Sequence, residues 1–120
     1  MTVKVNILGT EYEVKTHNYS EDEAFERLDI IGYCDGYSKK IVFCNLSTHP
    51  EYKKDPVETR EACEKVTLRH EIVHAFLSES GLMSSAFEVV GAWSKNEEMV
   101  DWIALQGEKI YKAWLEVGAL

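Results

Sequence analysis

Proline is scarce in this chain, at 2 of 120 residues, and no low-complexity or linker-like tract interrupts it. No apolar run approaches the roughly 18–20 residues that span a bilayer, so no membrane partner is expected. Positive charge is also short. Lys and Arg number 13 against 21 Asp and Glu, for a net charge of −8. Such a surface repels phosphate and argues against nucleic acid as a general partner. Only 3 cysteines occur, an odd number without C-x-x-C spacing. Cys34, Cys44 and Cys63 therefore read as reduced thiols of a cytoplasmic protein, most simply as small buried apolar residues. The opening residues reach Glu11 and Glu13 without the long apolar core of a signal peptide. What remains is ordinary: 45% apolar and 28% charged residues, enough for one soluble domain over 1–120 with a single core.

The pattern along the chain predicts an α+β domain. Alternation from Val3 to Leu8, then Gly9-Thr10, then Tyr12-Glu13-Val14 reads as a β-hairpin. Ser20 with Glu23 resembles a capping box opening a short helix to about Asp29. After the turn dipeptide Asp35-Gly36, the stretch 39–45 (Lys-Lys-Ile-Val-Phe-Cys-Asn) is the best strand. Asp55-Pro56-Val57-Glu58 has the form of a capped start to a long helix, ending near Glu79 with Gly81 beyond it. Apolar residues cover most of that helix's circumference, which predicts a buried helix. A second box, Ser94 with Glu97, opens a last helix to about Val117. The loops 46–54 and 82–93 are where specificity would lie.

Within the long helix stand His70-Glu71-Ile72-Val73-His74, an H-E-x-x-H motif. Residues four apart share a helix face, so both imidazoles can address one metal ion. Zinc binds such nitrogens at about 2.0–2.1 Å and, in catalytic sites, keeps a position for water whose pKa falls to about 7. Glu71 is placed to take a proton from that water. Chance alone writes this motif in about one chain in a few hundred of this length, so a third ligand is required.

The last helix offers Glu97 and Glu98. Its apolar stripe runs through Val100, Ile103, Ala104, Gly107, Ile110, Tyr111 and Trp114. Glu97 lies on the flank of that stripe, Asp101 about 40° further round, and Glu98 almost opposite. Glu98 should face water, and Glu97 can reach inward. Asp101 can accept the free N–H of a metal-bound histidine and fix its tautomer. His17 and His49 are lone histidines in loops and receive no role.

The segment 68–106 resembles the gluzincin metallopeptidases, in which H-E-x-x-H precedes a helix bearing E-x-x-x-D, here Glu97 to Asp101. It is most similar to the small ImmA/IrrE-type and minimal gluzincins of phages and prophages. The resemblance implies a zincin-like domain in which a small antiparallel sheet packs on the zinc helix and a C-terminal ligand helix. It implies His70, His74 and Glu97 as Zn2+ ligands, Glu71 as general base, and Asp101 as partner of His70. It also implies that the strand 41–44 is an edge over the cleft that pairs with substrate backbone. The substrate would be a peptide or protein, a phage or host regulator among the candidates. A homodimer is compatible with an exposed strand edge and three tryptophans. No separate His or Tyr of the kind larger gluzincins use at the oxyanion is assigned. Two rival readings remain open. One is a deformylase-like zinc hydrolase with Cys44 as third ligand. The other is a protein-binding module that keeps the fold without catalysis.

Overall fold

The computed structural model describes residues 2–82, 95–116 and 118, and at 113, 114 and 116 the backbone alone. Strands β1 (Thr2–Ile7) and β2 (Thr10–Asn18) form the expected hairpin. Its two-residue turn, Leu8 and Gly9, has positive φ at both positions, the conformation that matches the twist of paired strands. A 3-10 turn over Tyr19–Glu21 and the short helix α1 (Ala24–Arg27) follow. The capping role expected of Ser20 is not seen. Asn18 N donates to Glu21 Oε1 at 3.0 Å, and Ala24 N donates to Asp22 Oδ1 at 3.1 Å.

The chain then makes β3 (Gly32–Asp35) and β4 (Lys40–Asn45), giving the sheet order β1-β2-β4-β3. The sheet is mixed, not antiparallel as expected: β2 and β4 run parallel, with Val14 opposite Ile41 and His17 opposite Cys44. A parallel pair needs a crossover, which residues 19–39 supply. The expectation that 41–44 is the edge is also overturned. β4 has a partner on each side, and β3 is the edge. Its composition carries the reason. Ile41, Val42 and Cys44 are all buried, so both faces of β4 are covered, as in an interior strand.

Helix α2 (Val57–Glu79) lies on one face of the sheet and ends as anticipated, with Gly81 at φ 87° beyond its last residue. Side chains alternate through β4. Ile41 joins Ile7, Tyr12, Val14 and Ala75 beneath α2, whereas Val42 and Cys44 join Phe25 and Leu46 on the opposite face. The 23-residue α2 is less buried than its composition suggested. Only Glu71 and Ala75 are buried, while Ala62 and Phe76 are exposed. Four short strands cannot cover a helix about 34 Å long, so its first half projects past the sheet.

Helix α3 (Glu97–Glu116) packs against α2 through Val100 and Ala104, and Arg69 Nε donates to Ala104 O at 3.2 Å. Its cap is Asn96, whose Oδ1 accepts from Met99 N at 2.9 Å. Ser94, the expected cap, and most of the loop 82–93 lie outside the described residues. Among the described residues, no helix is long and apolar enough to cross a membrane.

Candidate metal centre

One turn of α2 presents His70 and His74 side by side, with Nε2 atoms 3.1 Å apart. The first turn of α3 brings Glu97 to them. Its Oε1 lies 2.9 Å from His74 Nε2, and its Oε2 lies 3.6 Å from His70 Nε2. Asn96 Oδ1 caps α3 by accepting from Met99 N, and Glu97 is the first helical residue. Glu98 is exposed, as the helical phase required.

Each imidazole is prepared for a cation. His70 Nδ1 lies 2.5 Å from Asp101 Oδ1, which holds the proton on Nδ1 and leaves the Nε2 lone pair free. Burial pushes the His74 pKa down against the pull of Glu97, keeping that ring neutral. His70, Glu71 and His74 have their ligand atoms within 4.8 Å of one another. Donor atoms at about 2.0–2.1 Å from a tetrahedral zinc lie about 3.3 Å apart. The two imidazole nitrogens and the Glu97 carboxylate stand close enough together for one metal ion to reach all three residues. Two imidazole nitrogens and a carboxylate thus converge on one point, a donor set suited to a cation.

Glu71 faces the sheet side of α2, is 7% exposed, and has its Oε1 3.8 Å from His70 Nε2. Burial pushes its pKa up to about 7, with Glu97 and Asp101 adding and His70 opposing. The space beside it comes from glycine. A Cβ at Gly32 would stand 2.6 Å from Thr67 Cγ2 and 3.5 Å from Glu71 Cγ, so β3 reaches α2 only without a side chain there.

Two cavities meet at this point and share Ile30, Gly32, Glu71 and Glu97. One, of about 440 Å³, extends toward His49 and Tyr52, and the other, of about 290 Å³, runs along β3 past Cys34 and Ser78. Along the edge, Cys44 N donates to Ile31 O at 2.8 Å, and Tyr33 stands opposite Val42. In an antiparallel ladder bonded pairs alternate, so Gly32 and Cys34 direct their N–H and C=O groups away from β4.

All five residues singled out in sequence thus converge: His70, Glu71, His74, Glu97 and Asp101. Cys44 does not. Its thiol is buried among Phe25, Val42 and Leu46, donates to Asn45 O at 3.6 Å, and is pushed up to about 11 by burial. Residues that the sequence left unmarked are Gly32, Tyr52 and His49. A lone loop histidine has no local signature. Only the fold shows that it borders the cavity beside Glu71. Compared with protein-family models, curated proteins and solved structures, the chain finds no match in any of the three.

Proposed function

We propose that this chain is a zinc-dependent peptidase of the minimal gluzincin type, with a zincin-like fold, working in the cytoplasm on a peptide or protein. The observation that carries the reading is the convergence of His70 Nε2, His74 Nε2 and the Glu97 carboxylate beside a buried Glu71. His70, His74 and Glu97 would hold the ion. Bound zinc would supply Lewis acidity to the scissile carbonyl and make an adjacent water acidic. Glu71, buried and with Oε1 3.8 Å from His70 Nε2, would accept a proton from that water and pass it to the leaving amine. Asp101 keeps the His70 proton on Nδ1 throughout. An extended peptide lies along β3, where the outward N–H and C=O groups of Gly32 and Cys34 pair with it and set the scissile bond next to Glu71.

The test couples metal analysis to hydrolysis. The purified chain is expected to bind one zinc, to lose it in Glu97→Gln, and to keep it in Cys44→Ser. Glu71→Gln should keep the metal and cut peptide hydrolysis by about 10²–10⁴-fold. Hydrolysis at the wild-type rate in Glu71→Gln would overturn the mechanism. A zinc-loaded protein that cleaves no peptide would favour the protein-binding reading.

A further inference from the structure

The larger cavity holds two features that the proposed reaction does not use. The first is His49, which is 8% exposed and stands between the rings of Tyr19 and Tyr52 at centroid distances of 4.6 and 4.8 Å. Its Nδ1 accepts from Glu51 N at 3.0 Å, so the ring's proton resides on Nε2. No described residue accepts from that Nε2–H. His49 lines the cavity, so an occupant of that space can supply the acceptor that this buried donor lacks. The second feature is two acidic residues among the lining of the same cavity, Asp29 and Glu51, both exposed to solvent. Neither forms an ion pair with a described residue. No Lys or Arg is among the described residues that line the space, while Ile30, Ile31, Tyr52 and Val66 give it apolar walls. Asp29 is held at φ 52°, a conformation few residues other than Gly, Asn and Asp accept readily.

An occupant must therefore offer three things together: a hydrogen-bond acceptor for His49, an apolar stem for the walls, and a cation for Asp29 and Glu51. A bare metal ion or a fatty chain offers one of them. An arginine or lysine within a peptide offers all three through its backbone carbonyl, its methylenes and its charged head. The volume of about 440 Å³ lies within the range of sites that enclose such groups. We propose that this cavity is the specificity subsite of the peptidase and selects a basic residue beside the scissile bond. The smaller cavity along β3, walled by Gly32, Gly36 and Ser78, takes the neighbouring residue on the other side of that bond. This inference rests on the peptidase reading.

The experiment separates the two. A mixed decapeptide library digested by the zinc-loaded chain locates the preferred cleavage position. Matched peptides carrying Arg, citrulline or Glu at that position then give kcat/KM. Citrulline keeps the shape of arginine and removes its charge. The expected order is Arg over citrulline by about tenfold, with Glu lowest, and a ratio that shrinks as salt is raised. In the double variant Asp29→Asn/Glu51→Gln the Arg-to-citrulline ratio should fall to near one while cleavage of the citrulline peptide persists. Asn is chosen because it tolerates the positive φ at position 29. Equal cleavage of Arg and citrulline peptides by the wild type would overturn the subsite and leave the peptidase standing. No cleavage of any peptide would overturn the peptidase. Binding of the same three peptides to Glu71→Gln, followed by amide shifts at Asp29 and Glu51, still decides the subsite in that case. Arg-peptide shifts confined to those residues support it, and identical responses to all three peptides refute it.

Discussion

Replacing Gly32 with alanine tests how closely the edge strand and the metal helix are fitted. A Cβ at position 32 would lie 2.6 Å from Thr67 Cγ2, 3.2 Å from Val42 O and 3.5 Å from Glu71 Cγ. Carbon atoms rest at about 3.5–4.0 Å, so the first contact must open by roughly 1 Å. Thr67 cannot simply rotate, because its Oγ1 donates to Cys63 O at 2.9 Å and holds the rotamer. The strand is pinned on its other side by β4. Overpacking of this kind costs about 1–3 kcal/mol. For a domain of this length that is a fall in Tm of roughly 3–15 °C. Thr67→Ser removes the offending methyl, keeps the hydroxyl, and by itself costs up to about 1 kcal/mol. In the double variant the new Cβ occupies the vacated space, so the two changes should couple favourably by about 1–2 kcal/mol. Urea and thermal unfolding of the four proteins in the cycle measure this directly. A Gly32→Ala protein melting within about 1 °C of wild type, or two changes that simply add, would refute the close fit of β3 on α2.

Two further outcomes follow from particular side chains. Asp101→Ala frees His70 Nδ1 and should weaken zinc binding by about 10–100-fold in a chelator competition, whereas Glu98→Ala, on the solvent side of α3, should leave it unchanged. Equal affinities in the two variants would remove Asp101 from the site. Glu79 is held down to about pH 2 by hydrogen bonds from Lys39 Nζ, Tyr12 Oη and Thr10 Oγ1 at 2.6, 2.7 and 2.9 Å. Its carboxyl is more acidic folded than unfolded, so its stabilising effect is complete above about pH 4.5 and disappears as pH falls toward 2. The stability gap between wild type and Glu79→Gln should therefore narrow over that window. A gap that is constant from pH 7 to pH 3 would contradict it.

Local signals were read well where one element settles the matter. The H-E-x-x-H spacing and the Gly81 helix end each depend on a few adjacent residues and are found in place, and the hairpin turn falls at Leu8-Gly9, one residue before the expected Gly9-Thr10. The choice of Glu97 and Asp101 over Glu98 needed only the phase of one helix against its apolar stripe. Strand order was not legible in the same way. Nothing within 39–45 states that β2 will lie beside it in parallel, since that pairing depends on where the 19–39 crossover lands. A clue did exist in the unbroken apolar run Ile41-Val42-Phe43-Cys44, which suits an interior strand better than an edge. The short β3, opening on a glycine, has the character of an edge strand. Capping was misread for a related reason. Ser20 fits the capping pattern, but Asp22 accepts from the amide of the turn itself.

The division of labour within the site follows from these placements. Both proposed metal ligands on α2 and the base Glu71 share one rigid helix, so their mutual geometry needs no tertiary contact. Glu97 and Asp101 arrive on α3, where among the described residues the apolar contribution comes from the buried Val100 and Ala104, and the polar links to α2 are the bond from Arg69 to Ala104 O and the pairs His70–Asp101 and His74–Glu97. Glu97 remains 68% exposed beside a His74 that is 16% exposed. An ion gripped from both helices would add a link exactly where apolar packing is thin, and anything that binds only the folded state stabilises it by mass action. The acidic first turn of α3 makes the same point from the opposite direction. Glu97, Asp101 and the buried Glu71 place three acidic side chains around two imidazoles, an arrangement that a cation would satisfy. Assembly of α3 on α2 and occupation of the site are therefore expected to be one linked equilibrium, with the sheet serving as the wall that shapes access to it.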